Sequence, residues 1–150
     1  MILIKTPAEI AALREGGRKL AEILEKLKEA VQPGVTTKEL DRLAESLIFS
    51  VGGKPAFKGY CLAGNAKGVP PYPAVLCTSI NDEVVHGIPG DRVLKEGDII
   101  GLDIGMTYQR LITDMAATVG VGKIDEKKQR LLDVTKEALA RGIAQVKEGA

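Results

Sequence analysis

Asp98 to Val119 reads DIIGLDIGMTYQRLITDMAATV, an apolar and β-prone stretch that carries two aspartates, Asp103 and Asp114. The apolar pattern relaxes only at Tyr108-Gln109-Arg110, which marks a turn. A hairpin about Tyr108 and Gln109 sets residue 103 directly opposite residue 114. Opposed residues of an antiparallel pair share a face, with Cβ atoms about 5 Å apart. Period 2 then turns Ile100, Leu102 and Ile104 one way and Gly101, Asp103 and Gly105 the other. Two like charges that close destabilise each other unless a proton or a cation intervenes. Hard divalent cations favour carboxylate oxygens, so a metal is one remedy. Such a pair can equally arise without function, one aspartate capping a turn or pairing with Arg110. Gly101 and Gly105 favour the metal, because they leave room beside Asp103 for a ligand.

The 150 residues suit one domain with a real core, spanning 1–150. An apolar content of 45% and a charged content of 27% are ordinary for a soluble globular protein. A net charge of +1 gives no footing for nucleic acid or an anionic membrane as partner. No apolar run approaches the roughly 20 residues of a membrane span. Lys5 and Glu9 come too early for a signal peptide, and Cys61 and Cys77 read as free thiols. The expected location is cytoplasmic.

Thr6-Pro7-Ala8-Glu9 is a capping box with proline at the first helical position. The helix it opens is predicted to bury Ile10, Leu13, Leu20, Leu24, Leu27 and Val31, with Gly17 in the same stripe. Pro33-Gly34 ends it. Thr36 to Glu39 is a second capping box, followed by the stripe Leu40, Leu43, Leu47, Ile48 and Val51. Lys54 to Pro73 reads as a long loop. Ala74 to Ile80 reads as a strand, Asn81-Asp82 as a turn and Glu83 to His86 as a returning strand. Asp125 can cap a last helix with Leu131, Leu132, Thr135, Ala138, Leu139, Gly142 and Val146 on its buried side. The order ααββββα implies an α+β layer.

His86 is the only histidine, so one chain holds no cluster of histidine ligands. A neutral imidazole at the end of a strand could donate to a substrate carbonyl or a developing oxyanion.

The segments PGVTTKELD (33–41), PAFKGY (55–60), CTSINDEVVHGIP (77–89) and LKEGDIIGLDIG (94–105), with the second aspartate at Asp114, closely resemble methionine aminopeptidase over essentially the whole chain. The resemblance implies half of a pita-bread fold, an antiparallel sheet with helices on one face. It implies a metal-dependent hydrolase that removes N-terminal methionine from proteins and peptides, with this chain as the N-terminal half. Asp103 and Asp114 would be metal ligands, Asp114 bridging. His86 would hydrogen-bond substrate, and Tyr60, Tyr72 and Cys77 would line the methionine slot. The complete family site holds two divalent ions (Co, Mn, Fe or Zn), which activate a water and polarise the scissile carbonyl. The family's further ligands, a histidine and two glutamates, and its second catalytic histidine have no counterpart in this sequence. Weak or partial metal binding is therefore expected, with little or no activity alone. The chain also carries an insertion between Tyr60 and Tyr72, CLAGNAKGVPP, and Met115 where many relatives have a hydroxyl residue. Two further readings stand beside the enzyme. One is a non-catalytic half-fold that binds a partner. The other is a twofold homodimer that gathers two copies of Asp103, Asp114 and His86.

Overall fold

A computed structural model describes residues 3–61 and 70–149. Most of the insertion, residues 62–69, lies outside the described residues. Helix α1 spans Pro7–Ala30 and α2 spans Thr37–Ser50, each opened by its expected capping box. The Thr6 and Thr36 hydroxyls accept from the amides of Glu9 and Glu39, whose carboxylates accept in return from the threonine amides at 2.7 Å. Four strands follow: β1 Lys54–Pro55, β2 Leu76–Ile80, β3 Ile99–Tyr108 and β4 Leu111–Gly120. Helix α3 spans Glu126–Ala144, capped by Asp125 as expected.

All pairings in the sheet are antiparallel, and β3 is its middle strand. Along one edge β3 pairs with the whole of β4; along the other it pairs with β2 and then β1. Ile100, Leu102, Ile104 and Met106 of β3 are all fully buried. They pack with Leu76 and Ile80 against Leu20, Ile23, Leu24 and Leu27 of α1 and Leu40, Ala44 and Ile48 of α2. Alternation therefore places the core on the α1–α2 side of the sheet and leaves the other side for Gly101, Asp103 and Gly105.

Several expectations need correcting. The hairpin turns at Gln109 and Arg110, not at Tyr108 and Gln109, so Asp103 lies opposite Ala116 and Asp114 opposite Gly105. Both turn residues have positive φ, 47° and 68°, the conformation of a two-residue type I′ turn whose twist suits paired strands. Tyr108 stays in the strand because its hydroxyl donates to Glu15 at 2.9 Å and its ring lies under the Lys19 ammonium. Glu83 to His86 is not a strand. Asn81 takes a left-handed φ of 56° and Glu83 folds back to accept from the Ile80 amide, so the segment leaves the sheet as a loop. The fourth strand is instead Lys54–Pro55, inside the stretch expected to be loop throughout. In α1 it is Gly16, not Gly17, that is buried, against Tyr108 and Thr113, while Ile10 is exposed.

Helix α3 forms but buries none of its residues, contrary to the buried stripe expected of it. Lys128 ties its first turn to the Gly97 carbonyl at 2.6 Å, and Leu131, Val134, Leu139 and Ile143 are each more than half exposed. An open cleft of about 900 Å³ separates it from β4. No helix among the described residues is long and apolar enough to cross a membrane.

Candidate metal and peptide site

The bare face of the sheet collects the residues that chemistry would use. Across the three long strands, Cys77, Asp103 and Ala116 form one row, Ser79, Gly101 and Thr118 the next, and Gly105 sits opposite Asp114. Asp103 and Asp114 are thus diagonal neighbours on one face, a relation that spans about 7–8 Å between Cα atoms. They share the expected face although the expected direct opposition fails. Gly101 and Ala116 keep the surface beside Asp103 low, whereas the room expected at Gly105 is filled by a neighbouring ring.

Both carboxyls titrate above the usual range. Partial burial raises Asp103, the charge of Asp114 raises it further, and His86 pulls it partly back. Burial alone raises Asp114. Among the described residues no group of three or more His, Cys, Asp and Glu side chains could hold a metal ion. The donor set therefore fits a hard divalent ion through two oxygen ligands, with water completing the shell, and does not make a closed site.

Cys77 is buried beside Asp103. Burial pushes its thiol up, and the neighbouring carboxylates add to this. Tyr72 stands half-buried with its hydroxyl donating toward Leu76 O at 3.1 Å and Gly87 O at 3.2 Å. Burial raises its ionisation far above that of a free phenol, so it remains a donor. Tyr60 is 60% exposed at the rim, joined to Tyr72 by backbone bonds that Tyr72 N donates to Tyr60 O and Gly59 N to Tyr72 O. The structure thus brings together Asp103, Asp114, Cys77 and Tyr72, places Tyr60 at the edge, and brings His86 in on a loop.

That loop is anchored at both ends. The Asn81 side chain donates to Asp98 and accepts from the Ile99 amide. Glu83 pairs with Arg92 while it caps Ile80. At the far end the Thr78 amide donates to Gly87 O at 2.8 Å, and Gly87 N donates to Ser79 Oγ at 3.3 Å.

Sequence reasoning missed Phe57. Its ring lies over Gly105, where an added Cβ would fall 2.6 Å from Phe57 Cε1, and the Ala56 amide donates to Gly105 O. The glycine opposite Asp114 was the available signal, since a strand glycine often marks something closely apposed. Ser79 was missed too, although period 2 from Cys77 put it on this face.

The chain matches the family described as Metallopeptidase family M24 over residues 11–150. It is 45% identical to methionine aminopeptidase 1 of Bacillus subtilis over 149 residues, 99% of this chain and 56% of that protein. Methionine aminopeptidase of Clostridium perfringens is 44% identical over 143 residues, 95% of this chain and 54% of its own length. The crystal structure of a methionine aminopeptidase from Thermotoga maritima superposes with a TM-score of 0.88 at 39% identity, covering 98% of this chain and 56% of that one. A Xaa-Pro dipeptidase from Bacillus anthracis shares the fold, with a TM-score of 0.81 at 23% identity over 99% of this chain and 38% of that one. The chain spans about half the length of the curated relatives it matches.

Proposed function

Because the chain belongs to metallopeptidase family M24, we propose that it supplies the N-terminal half of a methionine aminopeptidase site, in a domain that covers residues 1–150. The antiparallel sheet and helices match about half of the pita-bread fold of the Thermotoga maritima methionine aminopeptidase structure. The observation that carries the proposal is the pair of aspartates on one face of the sheet, beside the buried Cys77 thiol and the chain's one imidazole.

Asp103 and Asp114 would hold divalent metal, two ions in a completed site, with Co, Mn, Fe or Zn as candidates. Bound there, the metal would supply Lewis acidity and lower the pKa of a coordinated water. Cys77, Tyr72, Tyr60 and Phe57 would receive the N-terminal methionine side chain, whose thioether packs well against rings and sulfur. His86 would donate a hydrogen bond to the substrate carbonyl as charge develops on its oxygen. A cytoplasmic location goes with this reading, and the two free cysteines support it.

Two carboxylates leave about four positions of a six-coordinate ion to water, so metal binding by one chain alone is expected to be weak. A second copy could add ligands. Among the described residues the outer edge of β4 has no strand partner, and α3 presents apolar side chains beside it. A twofold pair of chains meeting there would set two copies of Asp103, Asp114 and His86 around one axis. The lack of a third ligand among the described residues favours a second reading, a half-fold that binds a partner without catalysis.

Titration of the chain with Mn²⁺, followed by release of methionine from a Met-Ala-Ser peptide, tests the proposal. Expected are weak, Asp103- and Asp114-dependent Mn²⁺ binding and slow methionine release that both Asp103→Ala and Asp114→Ala abolish. Mn²⁺ binding unchanged in the double variant refutes the site. Binding without any release selects the non-catalytic reading.

A further inference from the structure

The loop that carries His86 has little to hold it by burial. Val84, Val85 and Ile88 are each more than 60% exposed, and residues 83–86 make no ladder with β2. Yet His86 takes a φ of 58°, a left-handed conformation that a residue with a side chain keeps only when its surroundings over-determine it. The next peptide explains how. Gly87 O accepts from the Thr78 amide at 2.8 Å and shares the Tyr72 hydroxyl proton, at 3.2 Å, with Leu76 O at 3.1 Å, and Gly87 N donates to Ser79 Oγ at 3.3 Å. The fit is close: a Cβ on Gly87 would lie 2.0 Å from Thr78 O.

We infer that the hydroxyls of Tyr72 and Ser79 are the positioning device for His86, clamping the Gly87 peptide to β2 and so fixing where the imidazole stands over the carboxylate face. Tyr72 suits the task because its own backbone is pinned to Gly59 and Tyr60. Its ring therefore joins three pieces of chain, the 57–60 turn, β2 and the histidine loop. Ser79 reaches the loop from the row next to Asp103. Neither hydroxyl needs to touch substrate for this role, which is distinct from the slot-lining role of the Tyr72 ring. The inference rests on the reading of His86 given above.

His86 is the only histidine, so its imidazole Cε1–Hε1 signal in a labelled sample belongs to one residue. Tyr72→Phe keeps the ring and removes the hydroxyl; Ser79→Ala removes the other contact. In both variants the imidazole signal and the Gly87 amide are expected to move toward random-coil positions. Hydrogen exchange at Gly87 is expected to rise about tenfold or more, while the amides of β3 and β4 stay in place. Added Mn²⁺ supplies a separate check, since ion held by Asp103 and Asp114 broadens their signals in every variant, but broadens His86 less once the clamp is cut. If His86 and Gly87 superimpose on wild type in both variants, the clamp is refuted. If Mn²⁺ leaves Asp103 and Asp114 unbroadened in the wild type, the metal reading fails, and the metal-free comparison still decides the clamp. Should Tyr72→Phe unfold, Ser79→Ala alone decides it.

Discussion

Burial raises both the Asp103 and Asp114 carboxyls above the usual carboxylate range, and the charge of Asp114 adds to this at Asp103. A carboxyl whose folded pKa lies above its unfolded value binds protons more readily in the folded state. Stability then falls as pH rises from near 3.8, the ordinary aspartate value, through the raised folded pKa. Asp98 behaves in the opposite sense. The Asn81 amide holds its carboxyl low, so its contribution is present at neutral pH and lost in acid. In chelator at pH 7, Asp114→Asn is therefore expected to stabilise the chain, by at most roughly 0.2–1 kcal/mol, the scale of a cross-strand side-chain pair. The gain should shrink as pH falls through the raised folded pKa, where wild type takes up its proton. Thermal melts across pH check this, and a loss of stability at pH 7 would contradict it. With Mn²⁺ present the sign should reverse, since the variant forgoes a ligand. The shared face of the two aspartates was legible because side-chain alternation needs only the sequence. The partners of His86 were not, because Tyr72, Ser79 and Thr78 reach Gly87 across a turn whose shape no periodicity encodes.

At the scale of elements, the hairpin shows where a pattern stops being informative. Turning at Tyr108-Gln109 or at Gln109-Arg110 shifts the pairing by two residues, which sends every side chain to the same face in either case. Core burial cannot separate the two registers; the turn residues and the Tyr108–Glu15 bond do. Arg110→Gly should discriminate between them in solution. In the observed turn residue 110 has φ of 68°, so glycine removes a strain of about 1 kcal/mol and the melting temperature rises. Were 110 a strand residue, glycine would lower it by a similar amount. The two capped helices were legible to the residue, as Thr6 and Thr36 satisfy amides that nothing else nearby can. The false strand at Glu83–His86 came from two adjacent valines, whose β propensity lost to the fold-back of Glu83.

For the molecule as a whole, the apolar stripe of α3 was read correctly as a stripe and wrongly as buried, since a pattern says which side a helix would bury and not whether a partner is there. Leu139→Glu tests its status. At 63% exposed the residue should tolerate the change within about 0.5 kcal/mol, whereas Leu27→Ala in α1, fully buried, should cost about 2–5 kcal/mol. If chains pair beside β4, sedimentation should show association of wild type, stronger with Mn²⁺, and its loss in Leu139→Glu. A monomer at high concentration with or without metal removes the twofold assembly. The middle strand has a wider consequence. In β3 the even-numbered residues from Ile100 to Met106 hold the helices and the odd-numbered ones from Gly101 to Gly105 face the carboxylate surface. Heritable change at one parity leaves the other untouched. A lineage could exchange the whole set of polar groups on this face, or let it decay, while the scaffold beneath is passed on intact.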